Sequence, residues 1–138
     1  MPISRKGKVD LLNKIPLFSE CSRAELEAVA AVTDEIRLPA GRVLMRQGTV
    51  GRELLVLVEG EVTIARDGET IAVRGSGDFI GELALVTHRP RSATATAATD
   101  VRALVVTRRD FDRLVRDVPT IALKVLKTVS ERLPSDEL

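Results

Sequence analysis

The sequence predicts a mainly β domain of the α+β class: an antiparallel jelly-roll β-barrel flanked by N-terminal helices and by two C-terminal helices. Three observations carry this expectation. Between about Glu35 and Thr107 short apolar segments alternate with turn residues at Pro39-Ala40-Gly41, Gln47-Gly48, Asp67-Gly68 and Gly75-Ser76-Gly77, the spacing of a β-roll. On either side of that region apolar residues recur at helical spacing instead. The chain of 138 residues suits one domain and is long enough to bury a single substantial core.

Taken in order, residues 1–7 show no periodicity and are expected to be disordered. N-terminal helices occupy 8–33. Val9, Leu12 and the Leu11/Ile15 pair make a short helix that Pro16 ends. Ser22 can cap a second helix while Glu25, three positions on, reaches back as the other half of a capping box; Leu26, Val29 and Ala30 are its apolar stripe. The β-roll covers 34–107. Val43-Leu44-Met45 reads as a strand, and Leu54 to Val58, apolar on both faces, as a central one. Glu61 to Arg66 alternates with Val62 and Ile64 on one face, Asp67-Gly68 closes a tight hairpin, and Ile71 and Val73 return on the partner strand. Ser92 to Ala97 alternates hydroxyl and methyl, and Val101 to Val106 closes the sheet. Two helices fill 108–133: Phe111, Leu114, Val115 and Val118 share one apolar face, Pro119 breaks the run, and Ala122, Val125/Leu126, Val129 and Leu133 share another.

Composition removes several function classes. A formal charge of +1 gives no general attraction to nucleic acid or to an acidic membrane. The single cysteine, Cys21, cannot form an internal disulfide, which suits a reducing cytoplasm. The basic opening Ser4-Arg5-Lys6-Gly7-Lys8 leads into Val9 to Lys14, which interrupts any apolar signal core, and the longest apolar run, Leu54 to Val58, is too short to span a bilayer. No targeting or membrane segment is expected. Jelly-roll metal oxygenases need two histidines and a carboxylate, and a serine or cysteine nucleophile needs a base; His88 is the only histidine and precedes a loop-like Arg89-Pro90. No catalytic residue, metal site or cofactor is expected.

The chemistry concentrates in 79–95. Gly81 lets the backbone turn sharply, so that Glu82 to Leu85 can form one helical turn whose first N–H groups favour an anion. Ten residues on, Arg91 supplies a planar fork that grips two phosphate oxygens and keeps its charge. Glu82 would repel a phosphate but accepts a hydrogen bond from a ribose 2′-OH, and together the two groups describe a compact nucleotide. The alternative is an ordinary strand-to-helix corner with a solvated ion pair, worth about 0–1 kcal/mol. If the strand already runs at Arg91, then Arg91, Ala93 and Ala95 share a face and the small alanines leave room beside the guanidinium; otherwise they fill a narrow roll.

Gly81-Glu82-Leu83-Ala84-Leu85 followed by Pro90-Arg91-Ser92-Ala93-Thr94 resembles the phosphate-binding cassette of cyclic nucleotide-binding domains, sensors of cAMP or cGMP. The resemblance extends over roughly Ile15 to Leu133 and includes glycine-punctuated strands at Gly41, Gly48 and Gly60. It implies one domain over 1–138, with a ligand contacted by Gly81, Glu82, Leu83, Ala84, Arg91, Ser92 and Ala93. Ser92 in place of the threonine that often accompanies cGMP preference leans towards cAMP. The last two helices become hinge and lid, and a side chain of the final helix covers the purine. That helix has no aromatic residue, so Arg132 is the candidate, since guanidinium planes stack on bases; the alternative is a solvated charge at the helix C-terminus. Val62, Ile64, Ile71 and Val73 are either neighbours of the base or core. The implied protein is a regulatory sensor whose helix closure signals to a separate downstream protein partner, with a homodimer through the final helix as a second route. Direct DNA binding is not expected, since only Pro134 to Leu138 follow the last helix. The rival readings are an interaction module that keeps the fold without a ligand, and the sensor domain of a larger channel, kinase or transcription factor.

Overall fold

The computed structural model describes residues 2–81 and 89–132. Among these, α1 (Arg5–Asn13), a 3₁₀ turn (Pro16–Phe18) and α2 (Arg23–Ala31) precede the strands. The strands are β1 (Asp34–Leu38), β2 (Val43–Met45), β3 (Glu53–Glu59), β4 (Val62–Arg66), β5 (Glu69–Arg74), β6 (Phe79–Ile80), β7 (Thr94–Ala97) and β8 (Val101–Thr107). Helices α3 (Arg108–Asp117) and α4 (Pro119–Arg132) follow. The strands form two four-stranded sheets of order β1-β8-β3-β6 and β2-β7-β4-β5, and every pairing is antiparallel. This is the jelly roll the strand spacing predicts, with helices at both ends of the chain.

Strand β3 explains how the sheets and helices share the interior. Its side chains alternate between faces. Leu54 and Val56 join the helical core with Leu12, Phe18, Leu26, Val29, Phe111 and Ile121, whereas Leu55 and Leu57 join Met45, Val62, Ile80, Ala95 and Ala97 inside the roll. Both faces are buried, so the strand is apolar without alternation. Ala95 and Ala97 are small because they line that interior.

Three expectations change. The first helix opens at Arg5, inside the stretch 1–7 expected to be disordered, because the Ser4 hydroxyl accepts the Gly7 N–H at 3.1 Å and caps it. Strand β7 begins at Thr94, so Arg91 precedes it and does not share a strand face with Ala93 and Ala95. Ile71 and Val73 are exposed, at 50% and 55%, and are not core. The register pairs Thr63 with Val73 and Ile64 with Ala72, so Val73 lies on the face opposite Val62 and Ile64. Strand β5 is an edge strand, and that face of it meets solvent. Among the described residues no helix is long and apolar enough to cross a membrane.

Candidate functional site

The site is built where β6 ends. Strand β6 runs antiparallel to β3, with Ile80 opposite Leu55, so the next residue, Gly81, arrives beside the start of β3 at Glu53. Gly81 has φ +85°, a conformation that side-chain-bearing residues rarely adopt. Space forbids a side chain as well. A Cβ there would stand 2.6 Å from Arg91 Nη1, 2.6 Å from Met45 Cε and 2.8 Å from the Glu53 carbonyl oxygen.

Arg91 reaches the same corner from the other side. A bridge between Val50 and Pro90 brings its segment alongside the approach to β3. The Arg91 N–H donates to the Thr49 carbonyl at 2.7 Å, and the Gly48 N–H donates to the Arg91 carbonyl at 2.9 Å. Its half-buried guanidinium donates through Nη2 to the Glu53 carbonyl at 3.0 Å and through Nη1 to the Gly81 carbonyl at 3.4 Å. The fork is therefore held at the Gly81 corner by main-chain carbonyls. Gly81 and Arg91, paired in the sequence reading, are brought together. Ser92 is exposed and its carbonyl accepts from Arg66 Nε at 3.1 Å, while Ala93 is half-buried. Glu82, Leu83 and Ala84 lie outside the described residues; so does His88. Arg132 is the last residue of α4, and its side chain is also outside what is described.

Glu53, Thr49 and Gln47 are parts of this corner that sequence reasoning missed. Glu53 and Thr49 act through their carbonyls, a property every residue has, so no residue type announces it. Gln47-Gly48 reads from the sequence only as a break between strands.

The second organised feature lies at the helical end. The capping box is formed as expected: Glu25 N–H donates to Ser22 Oγ at 3.2 Å and Ser22 N–H to Glu25 Oε1 at 2.7 Å. The same buried carboxylate also holds α4. Lys124 Nζ lies 2.5 Å from Glu25 Oε1, and the Thr120 hydroxyl donates to Glu25 Oε2. The Lys124 ammonium, the Ser22 N–H and the Thr120 hydroxyl together hold the Glu25 carboxyl far below the usual carboxylate range, at about 2. Lys127 adds an exposed pair to Glu20 at 3.2 Å, and Ile121 is fully buried between these contacts. Only Val118 interrupts the helical run between α3 and α4, with φ −133° and ψ 75°. The first turns of α4 are thus pinned to the N-terminal helices, whereas Leu123 and Leu126 stay exposed at 71% and 53%.

A shallow groove lined by Arg37, Leu38, Pro39, Glu59, Asp100, Val101 and Arg102 shares no residue with this corner. Its Arg102 is neutralised by Glu35 at 2.6 Å and lies 3.8 Å from Glu59.

Comparison with known proteins agrees with this geometry. The family model described as "Cyclic nucleotide-binding domain" matches residues 35–117. The chain is 42% identical over 123 residues to a cyclic nucleotide-gated potassium channel of Rhizobium etli, covering 88% of this chain and 34% of the channel. It is 33% identical over 112 residues to a cAMP-dependent protein kinase regulatory subunit of Emericella nidulans, covering 80% of this chain and 27% of the subunit. It spans about a third or less of the length of these two relatives. Among solved structures, the N-terminal domain of a transcriptional regulator from Streptomyces coelicolor A3(2) superposes with a TM-score of 0.79 at 34% identity, over 89% of this chain and 91% of that one. A cyclic nucleotide-binding domain from Methylobacillus flagellatus superposes with a TM-score of 0.79 at 28% identity, over 92% of this chain and 74% of that one. The match across the roll and the Gly81–Arg91 corner leaves one conclusion: the chain belongs to the cyclic nucleotide-binding domain family.

Proposed function

We propose that this chain is a regulatory, non-catalytic sensor that binds a cyclic nucleotide, with cAMP favoured over cGMP. One observation carries the reading: the Arg91 fork is oriented by the Gly81 and Glu53 carbonyls at a turn too tight for any side chain. A guanidinium is always protonated and its planar fork matches a phosphate, and the main-chain N–H groups that follow Gly81 are the second set of anion donors in this proposal. Arg91 and those N–H groups take the cyclic phosphate, Glu82 accepts from the ribose 2′-OH, and Leu83, Ala84, Ser92 and Ala93 complete the cassette. The names of the relatives, a cyclic nucleotide-gated channel and a cAMP-dependent kinase regulatory subunit, support the ligand class.

Closure of α3 and α4 is the signalling step, with Val118 as hinge and Arg132 stacked on the purine. The break at Val118 supplies a hinge point, and the side-chain tie of α4 to Glu25 is the contact that such a movement would have to change. A separate cytoplasmic partner protein reads the movement. The exposed Leu123 and Leu126 also offer a face for self-association.

Calorimetric titration with cAMP, cGMP and 5′-AMP tests the reading. Saturable binding of a cyclic nucleotide, tightest for cAMP and much weaker for 5′-AMP, is expected. Charge-assisted hydrogen bonds contribute about 1.5–3 kcal/mol each, so Arg91→Ala loses roughly a hundredfold or more in affinity. Arg132→Ala loses less. Unchanged affinity in Arg91→Ala overturns the pocket assignment; absence of binding by the native chain leaves the interaction-module reading.

A further inference from the structure

Arg91 to Ala93 form no strand; regular pairing begins only at Thr94. The sheet ladder therefore does not place the residue on which the site depends. The Val50–Pro90 bridge and the Gly48 and Thr49 main-chain bonds reach it, and the contacts of Gln47 hold that segment in turn.

Gln47 joins three segments. Its N–H donates to Thr94 Oγ1 at 2.9 Å, at the point where β7 starts. The following two residues clamp Arg91 through both of its main-chain groups. The Gln47 side chain points the other way, to the tip of the β4–β5 hairpin: Nε2 donates to Asp67 Oδ1 at 2.9 Å, and Asp67 N–H donates to Gln47 Oε1 at 2.9 Å. A side-chain amide thus reproduces the two-bond pairing of a backbone amide, which fixes distance and orientation together. The tip itself is a tight two-residue turn. Asp67 and Gly68 both have positive φ, 53° and 84°, as a two-residue hairpin turn of this type requires. The ring closes through Arg66, the residue before the tip, whose Nε donates to the Ser92 carbonyl at 3.1 Å.

We propose that Gln47 is a positioning residue for the anion site: with the Asp67 tip it holds residues 91–94 in place, so that the Arg91 guanidinium stays aimed at the Gly81 corner. This rests on the cyclic phosphate reading above. Gln47 does not touch the ligand. It acts through Arg91, by restricting the backbone that carries it. It also couples the hairpin tip to the cassette, so a change at Asp67 is felt at the phosphate.

The test is a double-mutant cycle between Gln47→Ala and Arg91→Ala on the full chain, with cAMP affinity read by calorimetry and, for the weak variants, by NMR titration at high ligand. Thermal midpoints are measured in parallel. Losing both side-chain bonds of Gln47 weakens cAMP binding about tenfold in the native background. In the Arg91→Ala background the same change costs less than about twofold, because the group it positions is gone. Its effect on the thermal midpoint is the same in both backgrounds. Asp67→Asn keeps the acceptor and tolerates the positive φ, so it retains native affinity, whereas Asp67→Ala reproduces Gln47→Ala. Equal losses in both backgrounds mean that Gln47 acts on general stability alone and overturn the inference. So does native affinity in Gln47→Ala while Arg91→Ala binds weakly, an outcome that leaves the proposed function standing. A native chain that does not bind, or an Arg91→Ala that binds as well as the native chain, overturns both.

Discussion

Two charged side chains organise this molecule, and they are held in opposite ways. Arg91 is oriented by the carbonyls of Gly81 and Glu53, and its own main chain by Gly48 and Thr49. Glu25 is held by side chains, the ammonium of Lys124 and the hydroxyl of Thr120, with the Ser22 backbone beside them. In the first arrangement main-chain carbonyls fix the direction of a guanidinium. An ammonium at 2.5 Å compensates the carboxylate, so the second is electrically closed and serves as a joint. Main-chain groups aim the arginine at the glycine corner, and side-chain charges fasten the glutamate to the last helix.

The comparison breaks most sharply at Gly81. Gly81→Ala must adopt a strained positive φ and push into Arg91, Met45 and the Glu53 carbonyl. A loss of about 2–4 kcal/mol is expected from strain and overpacking combined, read from the denaturant midpoint, together with loss of nucleotide affinity. Native stability in this variant would mean that the corner can relax.

The fastening is the next largest effect. Glu25→Ala removes a cap and a charge-assisted tie to α4, for roughly 2–3 kcal/mol in the same measurement. The pH dependence separates charge from packing. The Glu25 carboxyl lies at about 2 in the folded chain against an ordinary value of 4.5, so the folded state favours the ionised form. Its stabilisation is complete above the ordinary value and is lost as pH falls from there towards 2. Denaturant midpoints of the native chain should therefore fall through that window more than those of Glu25→Gln. Parallel curves for the two proteins would reassign the joint to packing around Ile121.

The smallest effect is expected on the outer face of the edge strand. Ile71→Thr and Val73→Thr alter exposed side chains, and each should change stability by less than about 0.5 kcal/mol. A larger loss in either would return that residue to the interior, where its apolar character alone would have placed it.

That last case shows where sequence reading reaches its limit. The alternation of Val62 and Ile64 and the return at Ile71 and Val73 identify a hairpin, and Asp67-Gly68 identifies its turn. Which face of β5 is covered depends on register and on which strand is the edge, and apolar character alone does not carry either. The start of β7 is of the same kind. A hydroxyl-methyl alternation runs from Ser92, but pairing begins only at Thr94 with β4 and at Ala95 with β2, which removes the face shared by Arg91 and Ala93. The capping box was legible because both partners lie three residues apart. The second use of the same carboxylate was not, since Thr120 and Lys124 lie more than ninety positions away.

What the sequence determined by itself was whatever is local or periodic: the strand and helix segments, the hairpin turn, the cap at Ser22 and the pairing of a turn glycine with an arginine ten residues on. Those follow from φ preferences, from the two repeat lengths of strands and helices, and from side-chain chemistry at short range. Only the tertiary structure decided which carbonyls aim Arg91, that Gln47 ties its segment to the Asp67 tip, and that Glu25 fastens the last helix. The physical reason is common to all three. Each is a contact between segments far apart in the chain, and its partner is either a main-chain group that every residue possesses or a polar side chain with many equivalent alternatives, so only the packing of distant segments selects it.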